Sequence, residues 1–170
     1  MKARARSRPP TLTRVRPGVN GVINNDGIIE SFTTGDSGND GIDAQTNTGI
    51  TIVNASTNNA ANPNLIEGAR HGITGGITSG TGSFTMSITN NSNGIIQGND
   101  GSGINIDGIN GNELVTIKND GKIIGDGVDG DGDGVDVDGP GQPDQHRHHR
   151  FQGRARLQQR RRDRRRRHDY

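Results

Sequence analysis

The chain has 170 residues, with 20 Lys or Arg against 19 Asp or Glu, and its formal net charge is +1. Three Phe, one Tyr and no Trp make a closely packed two-layer enzyme domain a poor fit, because such a core relies on large side chains. The lack of cysteine excludes a disulfide framework, a thiolate nucleophile and a cysteine-based zinc site. Apolar runs are too short for a transmembrane helix, and no apolar segment typical of a signal peptide follows the basic N-terminus.

Charge divides the chain into three segments. Residues 1–18 carry six basic residues and no acid, residues 19–141 carry three basic residues against 16 acids, and residues 142–170 carry 11 Arg against three Asp. We therefore expect a disordered basic N-terminal segment at 1–18, a folded repeat region at 19–139 and a disordered Arg/His-rich tail at 140–170.

In the middle region, a Gly followed by Ile or Val recurs four times at intervals of 31 residues. These repeat anchors are Gly41-Ile42, Gly72-Ile73, Gly103-Ile104 and Gly134-Val135. From each anchor, apolar or small residues alternate with polar ones, which is typical of a strand with one buried face. The polar position holds Asp43, Thr74, Asn105 and Asp136, and we expect these side chains to form a solvent-facing ladder.

Two further elements recur in every repeat. An apolar–x–Asn pattern, at residues 22–24, 52–54, 88–90 and 117–119, precedes each anchor and follows β-branched, strand-like residues. Apolar pairs follow at residues 28–29, 65–66, 95–96 and 123–124. Asn and Gly suit the corners between elements because both tolerate positive φ. The longer segment at residues 57–63 is expected to bulge from one corner as a loop.

Three short strands per 31-residue unit predict an all-β fold, a right-handed parallel β-helix of about four rungs. Each rung would bury its Ile/Val row against the next at a spacing of about 4.8 Å. The alternative interpretation is disorder, which the 28 Gly and low hydrophobicity favour. The apolar residues nevertheless fall in phase with the repeat, and disorder does not require that.

Segments 86–90, 94–98 and 101–106 read Met-Ser-Ile-Thr-Asn, Gly-Ile-Ile-Gln-Gly and Gly-Ser-Gly-Ile-Asn-Ile. Together with a second copy at 115–119, 121–125 and 132–137, they resemble the β-helical passenger repeats of bacterial autotransporters and related large surface adhesins. The resemblance implies a non-catalytic stalk or adhesin at the cell surface, exported through an outer-membrane barrel and contacting host or bacterial surface molecules. Since neither a signal peptide nor a translocator barrel is recognisable, we expect a fragment of such a passenger.

The composition changes abruptly after residue 139, where Pro, clustered His and Arg runs replace Asn, Ile and Gly. One hypothesis is that this tail, and residues 1–18, are out-of-frame translation, because the change coincides with the interruption of the repeat. Taken at face value, the tail gives an alternative function, salt-sensitive binding of nucleic acid or an anionic surface. The arginines concerned are Arg160, Arg161, Arg162, Arg164, Arg165, Arg166 and Arg167. His146, His148 and His149 are a candidate divalent-metal site, which the surrounding positive charge opposes.

The acidic stretch at residues 126–134 suggests a metal-binding hypothesis. Asp129, Asp131 and Asp133 match the start of an EF-hand loop, in which alternating carboxylates converge on Ca²⁺. The twelfth position, which should hold Glu, is Pro140, so only low-affinity calcium binding is expected. The competing interpretation is an acidic turn between rungs, and no other cofactor is expected.

A second alternative function is a β-helix enzyme acting on polysaccharides. Asp43 and Asp136 would lie three rungs apart, about 14 Å on the strand spacing, which is too far for a carboxylate pair. His71 falls between Asp40 and Ser102 in the repeat and is expected to point outward beside a carboxylate. No nucleophile–base pair is recognisable, and we expect no catalysis.

Overall fold

The computed structural model describes residues 11–12, 15–31, 39–62, 64–77, 83–107, 114–126 and 132–137. In these residues the regular elements are β-strands, and no helix that could span a bilayer is present among them. The strands form three sheets, and every pairing is parallel.

Each repeat contributes one strand to each sheet. The first sheet contains β2 (Val22–Asn25), β5 (Ile50–Asn54), β8 (Thr85–Asn90) and β11 (Leu114–Asn119). The second sheet contains β1 (Thr11–Leu12), β3 (Ile28–Ser31), β6 (Leu65–Gly68), β9 (Ile95–Gly98) and β12 (Lys122–Gly125). The third sheet contains β4 (Ile42–Asp43), β7 (Ile73–Gly76), β10 (Ile104–Asp107) and β13 (Val135–Val137).

This arrangement is a three-sided parallel β-solenoid, and it confirms the fold class predicted from the repeats. The described stack amounts to about three turns, slightly fewer than the four rungs expected. The anchors pair as their 31-residue spacing predicts: Ile73 lies opposite both Ile42 and Ile104, and Ile104 lies opposite Val135.

The core lies inside the three sheets, where one side chain in two points inward from each strand. The Ile rows predicted from the sequence fill it, together with Phe84 and Met86. The fully buried positions include Ile52, Ile66 and Ile104, one from each sheet. Branched aliphatic side chains suit these rows because identical shapes repeat on the next rung and pack against one another.

The loop predicted at residues 57–63 is present, since the chain leaves β5 after Asn54 and enters β6 only at Leu65. The apolar–x–Asn alignment is wrong by one residue in the first repeat. Ile23 lies opposite Ile52, and Asn25 rather than Asn24 lies opposite Asn54. The consecutive asparagines at 24 and 25 made the two registers hard to distinguish, and Val22, which fits the pattern, lies 66% exposed.

Parallel pairing is also present before residue 19, the predicted start of the repeat region. Thr11 and Leu12 pair with β3, and Val15 pairs with Ile42. Val15 also packs against the core. These residues therefore add a partial rung to the stack, and the out-of-frame origin of residues 1–18 stays a hypothesis.

Candidate functional site

The anchor positions require glycine because the backbones of successive rungs lie in close contact there. The amide of Ile42 donates to the carbonyl of Gly72 at 3.0 Å, and the amide of Ile73 donates to that of Gly103 at 3.0 Å. A Cβ atom on Gly41 would lie 2.8 Å from the Gly72 carbonyl oxygen, and one on Gly72 would lie 2.6 Å from that of Gly103. Glycine is therefore required at these positions by backbone contact between rungs rather than by positive φ.

An asparagine ladder, formed by Asn25, Asn54, Asn90 and Asn119, runs along the corner between the first and second sheets. Each side-chain amide donates to the side-chain oxygen of the next member, at 2.8, 3.0 and 2.8 Å. Asn54 and Asn90 are fully buried. These residues end β-strands, so their role is hydrogen bonding, and the predicted tolerance of positive φ applies elsewhere, at Asn20, Asn58 and Asn64.

The side-chain amides of Asn25, Asn54 and Asn90 also donate to backbone carbonyls near the start of the neighbouring sheet. Asn54 Nδ2 reaches the carbonyls of Asn64 at 3.0 Å and Ile95 at 3.1 Å, and Asn90 Nδ2 reaches that of Lys122 at 3.1 Å. The ladder thus adds side-chain hydrogen bonds at the corner, where the carbonyl of Asn64 also accepts from the amide of Ile95 at 3.0 Å. Buried polar groups of this kind are stabilising when their hydrogen bonds are complete.

Asp40, His71 and Ser102 form a column at the corner between the second and third sheets. Their order matches that of a hydrolytic Asp–His–Ser set, but the contacts do not. His71 Nδ1 accepts a hydrogen bond from the backbone amide of Ser102 at 2.9 Å, and Asp40 Oδ1 accepts one from the backbone amide of His71 at 3.3 Å. The histidine is 1% exposed, so its predicted outward position is wrong. In both of these contacts the donor is a backbone amide, which is typical of a structural role.

The column of Asp43, Thr74, Asn105 and Asp136 has the predicted register on the outer face of the third sheet. Its predicted exposure to solvent is wrong, because the first three side chains are at most 5% exposed. Alternation along a strand identifies the outer face but gives no information on what covers it. Asp43 forms an ion pair with Arg16, whose Nε and Nη2 atoms donate to Asp43 Oδ2 at 2.9 and 2.7 Å.

An acidic corner that the sequence analysis missed joins the first two repeats. Asp26 accepts hydrogen bonds from the hydroxyl of Ser56 and from the amide of Thr57, the latter at 2.8 Å. The Ser56 hydroxyl, followed by the Thr57 amide, lowers the pKa of the Asp26 carboxyl. The only signal in the sequence is the Ser-Thr pair at residues 56–57, which begins two positions after the ladder asparagine Asn54.

The loop after β5 also contacts the third repeat. The side-chain oxygen of Asn58 accepts a hydrogen bond from the Ser92 hydroxyl at 3.0 Å. Its backbone carbonyl accepts one from the Asn93 side-chain amide at 2.7 Å. The bulging loop therefore connects rungs on both sides of it, and it is a structural element of this corner.

The metal and tail predictions are not resolved by these contacts. Asp129, Asp131, the three clustered histidines and the arginine run lie outside the described residues, whereas Asp133 is exposed at the start of the last anchor. Among the residues that the structure covers, no group of three or more His, Asp or Glu side chains converges as a metal site. The calcium and anion-binding hypotheses remain predictions.

Comparison with known proteins gave no match. No family model, curated protein or solved structure matches this chain.

Proposed function

We propose that this chain is a non-catalytic structural segment of a surface stalk or adhesin, which presents a rigid, acidic solenoid surface. The observation that carries the proposal is the asparagine ladder, which spans the four successive repeats without a break. Side-chain amides bonded in series hold the rungs in one register, and a fixed register is what a stalk requires.

The placement of the other polar side chains supports the same role. His71 binds a backbone amide, Asp43 forms an ion pair with Arg16, and Asp26 accepts hydrogen bonds from the next rung. Each of these groups joins one repeat to another. A hydrolytic site would instead need a nucleophile and a base in mutual contact at an accessible surface.

The outer surfaces also suit a stalk. Glu30 and Glu67 lie opposite each other on the outer face of the second sheet, and both are half-buried. On the outer face of the first sheet, Thr51 and Thr116 each lie opposite Ser87. Charged and hydroxyl side chains keep such faces hydrated and discourage nonspecific association of the sheets. The resemblance of the repeats to autotransporter passengers supports the surface location.

Adhesion of particles coated with the full 170-residue chain tests the proposal. Beads carrying the protein are mixed with epithelial or bacterial cells, and retained cells are counted. The matched control carries Asn54→Leu and Asn90→Leu, which disrupt the ladder and leave the charge and the tail unchanged. We expect retention by the folded chain and much less by the control.

Two outcomes contradict the proposal. Equal retention by both proteins would show that adhesion does not depend on the solenoid, and loss of that retention in high salt would assign it to the arginine-rich tail. Release of reducing sugar from an acidic polysaccharide by the folded chain alone would instead indicate an enzyme.

A further inference from the structure

The outer face of the third sheet carries oxygen-bearing side chains on every rung. Asp43, Thr74, Asn105 and Asp136 are stacked in register, and Asp107 lies two residues beyond Asn105 on the same face. Arg16 is bonded to Asp43 at one end of this column. The face is therefore a row of carboxylate, hydroxyl and amide oxygens.

Thr74 is the exceptional member of this row. Its side chain is 2% exposed, and its Oγ1 has no hydrogen-bond partner among the described residues. A buried hydroxyl without a partner is destabilising relative to a satisfied one. Folded proteins rarely retain such a group unless a bound water or ion completes its contacts.

The neighbouring groups favour a cation. Asn105 donates one side-chain amide hydrogen to Asp107 Oδ1 at 2.9 Å, and its side-chain oxygen remains able to bind a cation. Gln45 donates to the other oxygen of Asp107 at 2.8 Å. Both of these donors are neutral amides, which leave the negative charge of Asp107 in place. A cation beside Asn105 would balance that charge.

We propose that this face binds Ca²⁺ between the rungs of Thr74 and Asn105, with Asp107 supplying the nearby negative charge. Adjacent strands lie about 4.8 Å apart, so side-chain oxygens on neighbouring rungs can both reach a cation held between them. Ca²⁺ accepts oxygen ligands at about 2.3–2.6 Å in a flexible geometry, which suits ligands supplied by separate rungs. Mg²⁺ requires about 2.0–2.1 Å and near-ideal octahedral geometry, which suits them less.

The site is distinct from the acidic stretch at residues 129–133. It combines a hydroxyl, an amide oxygen and one carboxylate from two strands 31 residues apart. The small number of charged ligands predicts an affinity in the range of extracellular calcium modules, about 10⁻⁴–10⁻³ M.

Calcium titration of the full chain, by calorimetry and by thermal unfolding in chelator or in CaCl₂, tests the proposal. The wild type should bind Ca²⁺ and melt at a higher temperature with it, and Mg²⁺ should have no such effect. Thr74→Val keeps the shape and removes the hydroxyl. It should be at least as stable as the wild type in chelator, yet lose at least about tenfold in calcium affinity.

Two further variants keep the test decisive. Asn105→Asp adds a carboxylate and should tighten calcium binding several-fold, which gives a gain to measure if Thr74→Val folds poorly. Thr116→Val, on the outer face of the first sheet, is the matched control and should bind as the wild type does.

Several results would overturn the proposal. One is that the wild type does not bind Ca²⁺, and another is that Thr74→Val binds Ca²⁺ with the affinity of the wild type. A third is that Thr74→Val lowers the melting temperature equally in chelator and in CaCl₂. Loss of binding in the combined variant Asp129→Asn, Asp131→Asn and Asp133→Asn, with Thr74→Val unaffected, would move the site to the acidic stretch.

Discussion

Replacement of Asn90 by Leu, which is similar in size but cannot form hydrogen bonds, tests the energetic role of the asparagine ladder. The wild-type side chain accepts from Asn54 Nδ2 at 3.0 Å. It donates to Asn119 Oδ1 at 2.8 Å, to the carbonyl of Lys122 at 3.1 Å and to that of Gly94 at 3.3 Å. Asn90 is fully buried, so water cannot replace these contacts.

The expected loss follows from these contacts. The amide nitrogen of Asn90 has two hydrogens, so its three acceptors share two donated hydrogen bonds, and the side chain makes three hydrogen bonds in all. At about 1 kcal/mol net each, they set an upper value of about 3 kcal/mol. Asn54 Nδ2 keeps its bonds to the carbonyls of Asn64 and Ile95, so it retains partners in the variant. We therefore expect Asn90→Leu to lower the free energy of unfolding by about 2 kcal/mol, about thirtyfold in the folding equilibrium.

Asn119→Leu is the matched control, because the same substitution is made at the half-buried end of the ladder. This side chain accepts only from Asn90 Nδ2 and from the amide of Gly121 among the described contacts, and we expect a loss of about 1 kcal/mol. Urea unfolding followed by far-UV circular dichroism gives both values by linear extrapolation. Equal losses in the two variants, or a loss below about 1 kcal/mol at Asn90, would refute this reasoning.

Three further predictions concern other contacts between rungs. Gly72→Ala places a Cβ atom 2.6 Å from a backbone carbonyl oxygen, so we expect it to lower the melting temperature by several degrees. Gly18→Ala is the control, because a Cβ atom there has no neighbour within 4 Å and should leave the melting temperature unchanged. Equal shifts for the two variants in calorimetry would contradict this prediction. The pKa of Asp26 is lowered in the folded chain, so the ionised carboxylate stabilises the fold above the ordinary carboxyl pKa of about 3.9, and this stabilisation is lost as the pH falls through the folded-state pKa. Asp26→Asn should therefore make the free energy of unfolding fall less steeply on the acid side of its pH profile. An unchanged profile would exclude a contribution from Asp26. Arg16→Ala should lower the free energy of unfolding by about 1–2 kcal/mol, a value reduced for the 67% exposure of the Arg16 side chain. In a double-mutant cycle, adding Asp43→Asn should recover part of this loss, because it removes the unpaired carboxylate. Strictly additive changes in the free energy of unfolding would exclude coupling between the two residues.

The fold was predictable because the repeat constrains the register. Equal intervals between Gly41, Gly72 and Gly103 place the same residue types one rung apart, and a parallel stack is the arrangement that buries them together. The strand positions follow from alternation. The number of turns and the start of the stack were less predictable, because the short pairings of residues 11–15 have no repeat signal.

The burial of polar side chains was not predictable from the pattern. Alternation correctly placed Thr74 and Asn105 on the outer face, but whether an outer face is covered depends on other parts of the chain. His71 illustrates the same limit, since its column was correct and its exposure was wrong. The polar corner formed by Asp26 and the loop after β5 depends on hydrogen bonds between repeats of unequal length.

Oxidative cross-linking across adjacent rungs tests the in-register parallel solenoid most directly. The chain has no native cysteine, and Ser87 and Thr116 lie opposite each other on the exposed face of the first sheet. Adjacent strands bring their Cα atoms to about 4.8 Å, within the range for a disulfide. We expect the variant Ser87→Cys with Thr116→Cys to form an intramolecular disulfide rapidly, and Ser87→Cys with Lys118→Cys to form one slowly or not at all. Preferential cross-linking of the second pair, or equal slow reaction of both, would contradict the register and the solenoid built on it.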